Sequence, residues 1–321
     1  MKKVLRTVAL FCLLMLLLIA TVSCSNILDG LFGGNEEGTT PEATTSKVTT
    51  PEVTTPEATT PEETVATTPE TTNKEEPDME PTYYILFIGN SYTYYNDMPT
   101  AIFEQMARSM GYKTEVTAIT KGAYKLSSFA DPADEYGAKV EAALSSGKKF
   151  DFVILQEQSA RPATDNVDKF YSAVRSLAER IRAIGATPIL YSTWGRKAGH
   201  ETLEKYGWTN ETMTWRLAAA YQAIGDELGI PVAHAGLAFF DIYTGDSGIE
   251  VYDKDLTHPS YAGSYLAAAT LFAKIFNADP TEVAYRGSLS ETNATTLRQA
   301  AKKAVFETPA IPDEYKIVLG N

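Results

Sequence analysis

Short runs of apolar residues alternate with helical patterns from residue 82 onward. The first run, Tyr84-Ile85-Leu86-Phe87-Ile88, breaks sharply at Gly89-Asn90-Ser91. A continuous apolar run rich in β-branched and aromatic residues predicts a strand buried on both faces of a parallel sheet. Residues 115–120, 150–155, 188–191 and 230–233 predict four more strands. Between and after them, apolar residues recur at helical spacing over 99–110, 138–144, 167–184, 212–228, 261–276 and 292–305. Asp97 and Asp165 are placed to cap the first and third of these helices, and Gly111 and Gly185 to stop them. Strands alternating with helices predict an α/β fold with a five-stranded parallel sheet between two helical layers. In such sheets ligands bind beyond the carboxyl ends of the strands. Ser91, Gly122, the pair Gln156 and Gln158, and the turn Thr193-Trp194-Gly195 all fall at such ends.

The pattern before residue 82 is different. Residues 1–23 join a basic start, Met1-Lys2-Lys3, to an apolar run over 8–22, the arrangement of a secretory signal peptide. Thr21-Val22-Ser23-Cys24 resembles a bacterial lipobox, which implies lipidation at Cys24 and a cell-surface lipoprotein of a bacterium. From residue 24 to 81 the chain carries little large apolar surface, and Thr-Thr-Pro-Glu recurs from Thr39, Thr49, Thr54, Thr59 and Thr67. Such a stretch cannot offset the entropy of ordering and reads as an extended, disordered tether.

Charge and cysteine content narrow the choices further. Residues 31–80 hold twelve acidic residues and two lysines, so the tether accounts for −10 of the formal net charge of −13. The remainder has no basic run, which argues against nucleic-acid binding. The two cysteines, Cys12 and Cys24, both precede residue 82. The folded region therefore has no disulfide, cysteine-ligated metal or thiol nucleophile, and no cofactor motif is visible.

A serine hydroxyl needs a base, and histidine is the usual one. Of the three histidines, His234 follows the fifth strand in an apolar setting and reads as a core residue, while His200 sits in a polar loop. His258 lies in Asp255-Leu256-Thr257-His258-Pro259, just before a long helix. An aspartate three residues ahead can orient the imidazole and stabilise its protonated form. Taken together, Gly89-Asn90-Ser91, Gly122, a polar amide after the third strand and Asp255-x-x-His258 resemble the SGNH/GDSL hydrolases. Asn90 stands where an aspartate is more usual, giving a Gly-Asn-Ser variant, and Gln156-Glu157-Gln158 replaces the family's Gly-x-Asn. The resemblance implies a flavodoxin-like three-layer α/β/α sandwich over residues 82–321, with Ser91 as nucleophile, His258 as base and Asp255 as its partner. It also implies an oxyanion hole made by Ser91, Gly122 and a glutamine, Gln156 or alternatively Gln158.

The substrate expected from these features is a short-chain acyl ester, acetyl above all, on carbohydrate. Trp194, Trp208 and Trp215 cluster after the fourth strand, where aromatic rings beside polar donors suit sugar faces. Trp194 and Tyr92 are the expected substrate contacts, with Trp215 anchoring a helix. The alternatives are a lipid-ester or thioester hydrolase of the same fold and a non-catalytic glycan-binding module. Apart from the lipid anchor, no membrane contact is implied.

Overall fold

Five strands form one sheet in the order β2-β1-β3-β4-β5, and every neighbouring pair is parallel. The computed structural model describes residues 81–319; the expected signal peptide over 1–23, Cys24 and the Thr/Pro/Glu-rich stretch to residue 80 lie outside the described residues. The strands are β1 (Thr82–Gly89), β2 (Lys113–Thr120), β3 (Phe152–Leu155), β4 (Thr187–Ser192) and β5 (Val232–His234). This is the flavodoxin-like order, with its switch point between β1 and β3.

Successive side chains of a strand face opposite sides of a sheet, so a strand buried on both faces feeds two cores. Ile85 and Phe87 of β1 pack with Met98, Ile102, Phe103 and Phe272, whereas Leu86 and Ile88 pack with Phe129, Phe170, Leu177 and Tyr221. The helices are α1 (Ser91–Tyr94), α2 (Glu104–Ser109), α3 (Leu126–Ala130), α4 (Glu135–Ser145) and α5 (Val167–Ala183). They continue with α6 (Glu201–Tyr206), α7 (Asn210–Leu228), α8 (Ala235–Thr244), α9 (Tyr261–Phe276) and α10 (Glu291–Phe306). One layer contains α8, α9 and α10, and the other α3, α4, α5 and much of α7. Each fully buried large apolar side chain contributes about 1.5–3 kcal/mol relative to exposure.

Helix α9 matters most for the site, because thirteen of its sixteen residues are buried. It is thus fixed along its length. Ser260 caps it by accepting from the Gly263 N–H, which anchors the loop carrying His258 to a rigid element.

Two expected caps are absent. Asp97 takes a left-handed backbone, φ 50°, and its side chain caps nothing; a π-helical turn over Met98–Phe103 leads into α2 instead. At α5 the capping position belongs to Asn166, not Asp165, and no side-chain bond is made there. Four helices, α1, α3, α6 and α8, occupy stretches whose pattern predicted no element.

Candidate active site

Gly89 ends β1 where no larger residue fits. A Cβ there would lie 2.4 Å from Thr93 Oγ1 and 2.6 Å from Gln156 Oε1, so the chain can turn tightly into Asn90 only with glycine. Asn90 then caps α1, its Oδ1 accepting from the Tyr92 N–H at 3.1 Å, while its Nδ2 donates to the Tyr124 carbonyl at 3.0 Å. The aspartate-to-asparagine change thus supplies an amide donor that ties this turn to the loop after β2. Ser91 follows as the first residue of α1 at the mouth of a cavity of about 370 Å³.

Across that cavity stands His258. Its Nε2 is 2.7 Å from Ser91 Oγ, and its Nδ1 is 2.5 Å from Asp255 Oδ2. Asp255 Oδ1 accepts from the backbone N–H groups of Thr257 and His258, at 3.0 and 2.9 Å. Burial acts to raise the Asp255 carboxyl, but its hydrogen bonds to the His258 ring and to these two N–H groups outweigh that, holding it below the usual aspartate value. Asp255 is therefore an anion where it faces the imidazole. The Tyr95 ring lies parallel to the imidazole, centroids 4.2 Å apart, and covers one of its faces. The other histidines are elsewhere. His200 caps α6, and His234 is buried against Gln222, its Nε2 2.8 Å from Oε1.

The structure separates the two glutamines. Gln156 is fully buried beneath the turn, its Oε1 accepting from the Asn90 N–H at 2.8 Å and from the Thr93 hydroxyl at 2.9 Å. Its amide nitrogen donates to the Glu157 carbonyl, so both ends of the amide are engaged away from the cavity. Gln158 lines the cavity with Ser91 and Gly122, and its side-chain bonds, to Ser159 Oγ and from the Ala160 N–H, are long at 3.3 Å. The expected alternation fails because β3 ends at Leu155. Between the glutamines Glu157 is a buried strut, its Oε1 accepting from the Leu126 and Gln158 N–H groups at 3.0 and 2.6 Å. Burial pushes its carboxyl up, against those two bonds and the nearby Arg161.

Trp194 is a second correction. It is fully buried and lies between two parallel rings, Tyr92 at 4.6 Å and Phe239 at 3.9 Å. Its Nε1 donates to the Thr257 carbonyl at 3.0 Å. Trp194 therefore contacts no ligand; it holds the residue next to His258. Tyr92 lines the cavity but is only 3% exposed, and its hydroxyl is bonded to Thr257 Oγ1 at 2.8 Å and accepts a hydrogen bond from Arg196 at 2.5 Å. Arg196 donates also to Ser159 Oγ at 2.7 Å. Sequence pattern does not single out Ser159 or Thr257; their only signal is adjacency to Gln158 and His258.

Backbone conformation is unusual around this cavity. Among the described residues, four of the five non-glycine residues with positive φ, namely Asn96, Asp97, Ala123 and Leu256, lie on the loops that follow β1 and β2 or carry His258. Such residues cost about 1–3 kcal/mol each and persist where surrounding contacts over-determine them. Among the described residues no cluster of three or more potential metal ligands occurs. No helix among them is long and apolar enough to cross a membrane.

A hydroxyl bonded to an imidazole that is in turn bonded to a carboxylate can be deprotonated as it attacks an electrophile. The backbone N–H groups of Ser91 and Gly122 have no acceptor among the described residues, which leaves them available to an anionic oxygen.

No protein-family model matches the chain, and neither does any curated protein. Solved structures do. A protein of Slackia heliotrinireducens described as a candidate SGNH hydrolase is 33% identical, with a TM-score of 0.52 over 61% of this chain and all of that one. A DUF4886 family protein from Bacteroides uniformis has a TM-score of 0.62 at 18% identity, covering 73% of this chain and 98% of that one. The second likeness is one of fold alone.

Proposed function

The chain belongs to the SGNH hydrolases, and from that premise we propose that it is a serine esterase cleaving short-chain acyl esters, acetyl above all, on carbohydrate. The observation that carries the reading is the continuous relay Ser91 Oγ, His258 Nε2, His258 Nδ1, Asp255 Oδ2, with links of 2.7 and 2.5 Å. Ser91 attacks the ester carbonyl as His258 takes its proton. Asp255 stabilises the imidazolium so formed, and the negative charge on the carbonyl oxygen meets the N–H groups of Ser91 and Gly122 and the Gln158 amide. His258 then returns the proton to the leaving alcohol. It next activates the water that releases the acid from Ser91.

The cavity lining supports a short acyl group. It is built from tyrosines and polar side chains, with Ala123 as its single aliphatic residue. A long acyl chain seated there would desolvate the Gln158 side chain, whose bonds within the protein are long at 3.3 Å, without replacing its hydrogen bonds to water. That weighs against the lipid-ester alternative. Carbohydrate as the alcohol is supported by Tyr206, 42% exposed and stacked on Trp208 at 4.5 Å, beside the next cavity. The signal sequence and Cys24 support a place on the outer face of a bacterial membrane.

Kinetics on 4-nitrophenyl acetate test the assignment. Ser91→Ala and His258→Ala should each lower kcat/KM by about 10⁴-fold or more, and the double variant should be little worse, because the two act as a unit. Near wild-type activity in folded Ser91→Ala would remove it.

A further inference from the structure

The cavity over Ser91 shares two wall residues, Gln158 and Arg196, with a larger one of about 460 Å³. Arg161, Lys205, Glu201 and Tyr206 also line the second cavity. Three cations and one carboxylate therefore meet there, although residues 81–321 as a whole carry a formal net charge of −5.

Arg196 and Lys205 form no ion pair among the described residues, and Arg161 has only a marginal one. Arg196 is only 9% exposed, yet its hydrogen bonds go to the neutral hydroxyls of Tyr92 and Ser159, and its Nε is buried without a partner. Arg161 comes no nearer a carboxylate than 4.0 Å, from Glu157, and its NH1 is likewise buried and unpartnered. Lys205 makes no ion pair among the described residues; its ammonium lies 5.1 Å from the centre of the Tyr206 ring. A buried guanidinium with neutral partners alone is costly and gains most from an incoming anion. Arginine's fork also matches a carboxylate in shape.

We propose that the second cavity is an anion subsite that receives a sugar carboxylate of the molecule whose ester reaches Ser91. The preferred substrates are then acylated acidic saccharides of the uronate type, with the Tyr206 ring against a sugar face and Arg161, Arg196 and Lys205 around the carboxylate. This inference rests on the esterase reading and adds the charge of its substrate.

The test compares kcat/KM for an acetylated oligouronate, an acetylated neutral oligosaccharide of the same length and 4-nitrophenyl acetate. The acidic saccharide should be preferred over the neutral one by about ten-fold or more, the equivalent of ~1.4 kcal/mol. Part of that ratio should disappear as salt rises from 50 to 500 mM, because the exposed Lys205 ammonium is screened by salt. Lys205→Glu, on the exposed side of α6, should bring the ratio toward one, and Lys205→Arg should keep it. Equal turnover of acidic and neutral saccharides overturns the inference and leaves the esterase standing. So does a ratio that Lys205→Glu leaves unmoved. Failure to hydrolyse any of the three esters removes the esterase reading, and the inference with it.

Discussion

Replacing Trp194 with alanine should unfold the protein sooner and slow every substrate equally. The side chain is fully buried, so its loss removes the transfer energy of an indole and leaves a cavity between Tyr92 and Phe239. Such truncations cost about 3–5 kcal/mol. For a domain of this size each kcal/mol lowers Tm by about 2–4 °C, so a fall of roughly 6–20 °C is expected. The catalytic effect travels through one bond. Trp194 Nε1 donates to the Thr257 carbonyl, and Thr257 precedes His258, so truncation frees the loop that aims the base. Trp194→Phe retains both ring stacks but strands the Thr257 carbonyl, and should fall between alanine and wild type. Urea or thermal unfolding gives the first number. The ratio of kcat/KM on an acetylated oligosaccharide to that on 4-nitrophenyl acetate gives the second, and it should not change. A Tm within about 2 °C of wild type, with a loss confined to the oligosaccharide, would refute this reasoning and return Trp194 to the substrate.

Gln158→Ala should lower kcat by about 10²–10³-fold with little change in stability, as for loss of one oxyanion donor. Gln156→Ala should instead lower Tm, since the buried Asn90 N–H and Thr93 hydroxyl lose their acceptor at about 1–3 kcal/mol each; the opposite pattern would restore Gln156 to the hole. Burial holds His234 down at about 4 from an ordinary 6.5. Its folded pKa is depressed, so its contribution is complete above pH 6.5 and is lost as pH falls toward 4, about 3 kcal/mol in all. Urea midpoints between pH 4.5 and 7.5 should fall less steeply in His234→Gln than in wild type, and parallel curves would contradict this. Cys24→Ala should shift the full chain from the membrane fraction to the medium, or leave a longer precursor; wild-type protein already soluble, with Ser25 or a later residue first, would exclude lipid anchoring.

Strands β1, β3 and β4 were legible as short apolar runs, and α9 and α10 because their apolar spacing is long and regular. His258 was reached by elimination among three histidines, Asp255 by its spacing from it, and Ser91 by its place at the end of the first strand; their roles came from the family resemblance. Other features depended on tertiary contacts. Asp97 has the residue type of a cap but a left-handed backbone, which sequence does not announce. Helix α8, apolar on nearly every side, starts directly at the end of β5 and gives no periodic signal. For Trp194 the composition of a binding residue and of a core residue is the same; what decided it was the placement of Phe239, forty-five positions on, against its other face. Gln156 and Gln158 differ only in where β3 stops, and strand ends are set by pairing across the sheet.

The most direct measurement of the central claim is intact-mass analysis after treatment with a fluorophosphonate, followed by peptide mapping. A single adduct is expected, on Ser91, forming in step with loss of ester hydrolysis. His258→Ala should label far more slowly, because the hydroxyl has lost its base. An enzyme that still cleaves acetyl esters with Ser91 unmodified, or that carries its adduct on another residue, would contradict it.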